Sequence, residues 1–210
     1  MKHENAALLL VGSTSLLVSG IQPYDRMTWL LEVMPILLAV PILILTHGKF
    51  PLTPLTYRLI FIHSLILMLG GHYTYARVPL GFWVQDLLDL GRNHYDRLGH
   101  LAQGFIPAIL AREILLRCTP LKPGGWLFFL ATSVCLAISA CYELIEWWTA
   151  LLFGEGANAF LGTQGDPWDT QWDMFLAMIG AILSQIVLGR AHDRELRRME
   201  FLRDDTLASE

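Results

Sequence analysis

Asp96, His100 and Gln103 recur at i, i+4 and i+7, Glu143 and Glu146 at i, i+3, and Asp166, Asp169 and Asp173 at i, i+3 and i+7. On α-helices each set falls on a single face. Imidazole and carboxylate groups brought together from facing helices are what helical bundles use to hold divalent metal ions. Such an ion activates bound water or polarises a phosphoryl or acyl oxygen, and a further carboxylate serves as general base. The candidate ligands are His72, Asp96, His100, Glu143 and Asp173, and the candidate bases are Glu146 and Asp169. No Ser or Cys nucleophile motif and no Gly-rich phosphate loop accompanies them, which disfavours covalent and nucleotide chemistry.

Each of these residues also has a structural account. Asp166 precedes Pro167, which suits an N-cap followed by proline at the first helical position, and Asp169 then falls at N3, where a carboxylate favours the helix dipole. Asp96 and His100 form an i, i+4 pair that can tidy a helix end. His72 can bond a backbone carbonyl. Glu143 and Glu146 are like charges one turn apart and need a proton or a cation, for which Arg97 is the nearest protein candidate. Glu113 and Arg117 stand in the favourable acid-before-base order of a structural ion pair. Asp173 lies two turns inside its helix, where neither cap nor dipole helps, and is the carboxylate that most needs a function.

The elements that carry these residues are built for lipid. Of 210 residues, 54% are hydrophobic and only 16% charged, and the mean hydropathy is +0.45. A soluble domain has about a quarter of its residues charged. The reading is an all-α polytopic membrane helical bundle of about six transmembrane helices, at Ala6–Ile21, Trp29–Thr46, Tyr57–Tyr75, Leu98–Cys118, Trp126–Trp148 and Gln171–Gly189. Residues 1–189 form the transmembrane domain, and 190–210 read as a solvated, charged cytoplasmic tail. Cys118, Cys135 and Cys141 match no zinc or disulfide spacing and read as small apolar residues. The net charge of −4 gives no reason to expect a nucleic-acid partner.

Several spans are too short for every ionisable residue to stay in water. Thirteen residues separate Arg58 from His72, 11 separate His100 from Arg112 and 16 separate Asp173 from Arg190. These are roughly 20, 17 and 24 Å of helix, less than a bilayer core of about 30 Å. His72, His100 and Asp173 therefore sit below one interface, at the level that Glu143 and Glu146 reach from the fifth span. With the N-terminus inside, 11 of the 15 basic residues lie on the inner side, so both termini are expected in the cytoplasm and the pocket in the outer half of the membrane.

The blocks "NHYDRLGHLAQGF" (93–105), "YELIEWW" (142–148) and "FLGTQGDPWDTQWDM" (160–174) resemble the signature blocks of the YjdF-type bacterial inner-membrane family, whose function is uncharacterised. The resemblance implies a multi-pass protein of the inner membrane. More distantly, Asp96 and His100 opening one span, Glu143 late in the next and Asp173 opening the last are similar to the site pattern of VanZ-like membrane proteins. Two function classes follow. One is a metal-dependent membrane enzyme acting on a lipid or envelope precursor. The other is a binding or transport protein for a cation, a solute or an antibiotic, which requires a continuous polar path. In a third, structural account the carboxylates only ion-pair with arginines at helix ends. Membrane lipids are the expected surroundings, with a lipid-linked or envelope small molecule as ligand.

Overall fold

Proline and short polar caps set where the helices begin. Asp25 accepts a hydrogen bond from the Thr28 amide at 2.7 Å and starts α2, and Thr53 caps α3, with Pro54 in its first turn. The computed structural model describes residues 2–154 and 158–207, which contain no strand. The helices are α1 (Lys2–Ser19), α2 (Arg26–Thr46), α3 (Pro54–Tyr73), α4 (Pro79–Leu88), α5 (Tyr95–Cys118), α6 (Gly125–Phe153), α7 (Asn158–Leu161) and α8 (Asp169–Leu207). The fold is the expected all-α membrane bundle. Of its six long helices, α2, α3, α6 and α8 are each apolar enough to cross a membrane, whereas α1 and α5 fall short of that criterion.

The shortfall of α5 has a physical reason. This helix packs against α8, α6 and α3, and twelve of its residues are buried, among them Asp96, His100, Arg112 and Glu113. Its neighbours solvate it, so it does not need a lipid-compatible surface. The apolar side chains that face outward belong mainly to the other helices: Leu38 and Leu45 on α2, Phe129 and Leu152 on α6, Ile186 and Val187 on α8. Trp126 and Trp147 near the two ends of α6 are exposed, as interface anchors should be.

Pairings fix the directions of the helices. Glu4 and Arg58 join the starts of α1 and α3 at 2.6 Å, and the His72 ring meets the Ser19 carbonyl at their far ends. Thr53, before α3, is bound by Glu113 from the end of α5. Both ends of the described chain therefore lie at one end of the bundle, here the tail end. The start of α5, the end of α6 and the start of α8 form the opposite, site end.

Close approach of backbones holds α5 against α8. A side chain at Gly104 would collide with the Ala177 carbonyl, and one at Gly180 with the Leu101 carbonyl. Small residues at a crossing let helices pack where water supplies no driving force. Ala108, Cys135 and Ala181 continue the seam where α5, α6 and α8 meet.

The tail departs from expectation. Helix α8 runs on to Leu207, and its first turns after Gly189, read from sequence as solvated, are docked. His192 is fully buried, with Nε2 3.2 Å from Glu113 Oε2 and Nδ1 3.0 Å from Arg112 Nη1. Arg112 also pairs with Asp193 at 2.8 Å, and Glu195 accepts from the Leu55 amide. Glu113 receives Thr53, Thr56 and Arg117 as well, so the expected Glu113–Arg117 pair is one strand of a larger knot. His192, Asp193 and Glu195 thus read as solvent-facing in sequence but meet partners on α3 and α5. Residues 208–210 of the expected tail lie outside the described residues.

Gly104→Ala should lower the stability of the protein in detergent by about 1–3 kcal/mol, the usual cost of overpacking. Gly189→Ala, whose added methyl meets nothing within 4 Å, should be neutral or stabilising by up to about 1 kcal/mol. Thermal unfolding of both variants beside wild type checks the difference in sign.

Candidate metal centre

At the site end α5, α6 and α8 each contribute acid to one buried cluster. Asp96 stands in the first turn of α5 and His100 one turn on, while Glu143 and Glu146 share a face of α6. Asp173 comes one turn into α8. His100 Nε2 lies 3.5 Å from Asp96 Oδ1 and 3.8 Å from Asp173 Oδ2, and Nδ1 lies 4.0 Å from Glu143 Oε1. Asp96, His100 and Asp173 each offer a ligand atom within 4.8 Å of the others, and so do His100, Glu143 and Glu146. The single coordination sphere expected from sequence is therefore two triads that share one imidazole. The reason is the ring itself, whose two nitrogens point to opposite sides.

Three buried atoms of the cluster have no hydrogen-bond partner: His100 Nδ1, Glu143 Oε1 and Asp173 Oδ1. Their side chains are 8%, 6% and 4% exposed. Buried polar atoms are seldom left so, because an unpartnered group forfeits its solvation without return. The spacing fits an ion. Donors bound to one metal at about 2.1 Å lie roughly 3.0–4.2 Å apart, depending on the angle. The separations at His100 Nε2 fall in that interval and are too long for good direct hydrogen bonds.

His72 does not join the cluster. Its Nδ1 is 2.8 Å from the Ser19 carbonyl oxygen and its ring packs edge-on against Tyr73 at 4.7 Å. Its azimuth on α3 turns the ring toward α1. Asp169 is also committed elsewhere, since Arg92 Nη2 holds its Oδ1 at 2.9 Å. With Asp169 engaged by Arg92, Glu146 is the candidate base that lies beside His100 and Glu143. Arg97, expected beside Glu143 and Glu146, turns to Asp166 at 2.8 Å and lies over the Trp172 ring. Asp166 caps the turn before α8, accepting from the Trp168 amide at 2.9 Å, and the helix itself begins at Asp169, so Asp169 does not occupy N3.

Sequence reasoning missed Glu32. It is buried in α2 and accepts from the Tyr142 hydroxyl at 3.1 Å, within electrostatic reach of Asp96 and His100. The signal was available, since Glu32 is an acid inside an apolar span. Asn93 and Gln164 were also unforeseen. Gln164 accepts from the Asn93 amide and donates to its carbonyl, tying the loop before α5 to the loop before α8 across the site. His94 on this rim has its pKa lowered, chiefly by burial and then by the charges of Arg97 and Arg92, so it is neutral at pH 7 and adds no cation.

The chain matches the family model described as "Predicted membrane protein (DUF2238)" over residues 5–194. It is similar to the "Inner membrane protein YjdF" of Escherichia coli (strain K12), with 56% identity over 183 residues, 87% of this chain and 88% of that protein. No solved structure matches. These matches carry the YjdF-type resemblance and do not extend to the VanZ-like one.

Because His72 bonds a carbonyl and no carboxylate, His72→Ala should cost about 1 kcal/mol of stability, the usual net worth of a hydrogen bond. It should leave any response of the protein to divalent ions intact. Thermal unfolding with and without added ions tests both halves.

Proposed function

The chain belongs to the DUF2238 family of membrane proteins, and from that premise we propose that it is a metal-dependent enzyme of the inner membrane acting on a lipid or envelope precursor. Asp96, His100 Nε2 and Asp173 would hold a divalent ion, with Glu143 4.0 Å from the opposite ring nitrogen. Glu146, one turn beyond Glu143, is the general base. The ion supplies an activated water or a polarised phosphoryl or acyl oxygen. The observation that carries the reading is the buried Asp96–His100–Asp173 triad, whose ligand atoms lie within 4.8 Å of one another and whose Asp173 keeps a buried oxygen without a hydrogen-bond partner.

Electrostatics supports it. Glu32, Asp96, Glu143, Glu146, Asp169 and Asp173 lie within reach of one another's charge. Six carboxylates against one imidazole and the Arg92 pair need protons or further positive charge, and a divalent ion is one source of it. The transport alternative needs a polar path through the bundle. Ala108, Cys135 and Ala181 are buried together about 12 Å along α8 from Asp173, and this apolar seam favours a one-sided pocket. On this reading the pocket lies in the outer half of the membrane, for which the basic bias of the sequence is the support.

The test is ion binding by the purified protein. Wild type should be stabilised by one of Mn²⁺, Mg²⁺, Zn²⁺ or Ca²⁺, by about 2.7 kcal/mol at one hundred times Kd. Elemental analysis should find that ion at one per chain. Asp173→Asn should fold and lose most of the gain, while His72→Ala keeps it. Equal responses of wild type and Asp173→Asn to every ion would refute the metal centre.

A further inference from the structure

Two arginines at the mouth of the centre converge on one oxygen. Arg97 Nη2 is 2.8 Å and Arg92 Nη1 3.5 Å from Asp166 Oδ2. Arg92 also donates to the Thr163 carbonyl at 3.0 Å and to Asp169 at 2.9 Å. The Nε donors of both arginines are buried with no acceptor. The position of the pair follows from the chain. Arg97 is next to Asp96 and three residues before His100, and Asp169 is one turn before Asp173. The cradle and the metal ligands thus grow from the same two helix starts, and the Asn93–Gln164 clamp ties the loops that bear them.

An anion entering this site faces a wall of carboxylates, so it needs cationic hosts at the rim. Guanidinium groups converging on one oxygen are suited to phosphate, which accepts on several oxygens and carries more charge than a carboxylate. We propose that Asp166 holds the place of a phosphate. On this inference the substrate is a phosphate-bearing molecule whose phosphate displaces the Asp166 carboxylate from between Arg92 and Arg97 and faces the ion on Asp96, His100 and Asp173. The exchange leaves each arginine with an anionic partner and offers its idle Nε an acceptor. This inference rests on the metal reading above.

A lipid headgroup is the favoured source of the phosphate. Helix α4 turns Leu80, Trp83, Val84, Leu87 and Leu88 outward on one face. It packs so closely on the rim that a side chain at Gly81 would strike Asn93. An amphipathic helix of this kind lies in the membrane interface and sets the cradle at headgroup depth.

The experiment uses the full chain in phosphatidylcholine nanodiscs, with and without phosphatidic acid, and separately with inorganic phosphate. Ion stabilisation is measured first, without phosphate, so that failure of the metal centre is seen on its own. Phosphate binding, followed by native mass spectrometry and thermal shift, should weaken at least about tenfold in Arg97→Gln, as expected for loss of a charged hydrogen bond. Arg92→Lys, which keeps the charge, should weaken it less. Asp166→Asn should tighten binding several-fold, although it removes an ion pair, because it frees both guanidinium groups. Preference for phosphatidic acid over inorganic phosphate identifies a lipid source, and equal binding a soluble one; either supports the cradle. If wild type binds neither probe, or if Arg97→Gln and Asp166→Asn change binding in the same direction, the arginines only latch the loop and the inference is overturned.

Discussion

The structure depends on keeping carboxylate charge inside an apolar bundle. A carboxylate in hydrocarbon is costly enough that the chain must surround it with protein, and α5 is the helix that receives that treatment. Its polar residues would disqualify it as a lipid-facing span, yet it is the most enclosed helix of the bundle. The glycines at its crossing with α8 follow from the same need. Without Gly104 and Gly180 the two backbones would stand further apart, and Asp173 would leave the reach of His100. Lipid-facing positions on α2, α6 and α8 are then free to be uniformly apolar.

Loops at the site end answer to the same constraint. Once Asp96, Glu143, Glu146 and Asp173 are gathered, the remaining acids at the rim must be neutralised separately, and Arg92 and Arg97 do so for Asp169 and Asp166. That assignment leaves the inner acids with His100 alone. An arrangement meant only for stability would have aimed an arginine inward. Instead the guanidinium groups stay at the mouth and the interior retains atoms without partners.

Much of this was legible in the sequence, because charge inside a short apolar span reports its own depth. Counting residues drew His72, His100, Glu143, Glu146 and Asp173 to one level and helix phase added Asp96; all of these but His72 meet in the cluster. Depth does not report azimuth, which is why His72 was misassigned: the residue that decides its direction, Ser19, lies on another helix. Arg97 went astray for a related reason, since its partner Asp166 sits on a loop whose path no periodicity encodes. Glu32 was overlooked although its signal was of the same kind as that of Asp173. His192 and Asp193 looked solvated because their composition is that of a tail, and only the long-range partners Glu113 and Arg112 bury them.

The two ends of the bundle offer an internal comparison. At the tail end, Glu113 is as buried as any acid in the chain, but Thr53, Thr56, Arg117 and His192 saturate its oxygens. His192 likewise uses both ring nitrogens, toward Glu113 and Arg112. This is how the fold stabilises buried ionisable groups when their role is to join helices. At the site end the same residue types, at similar burial, are held near one another without being joined. His100 Nε2 stands 3.5 Å from Asp96 and 3.8 Å from Asp173, longer than the contacts that saturate Glu113. One fold treats the same residue types in two ways: a saturated knot that joins the helices at one end, and at the other a set of buried donors at the spacing that the proposed metal centre requires.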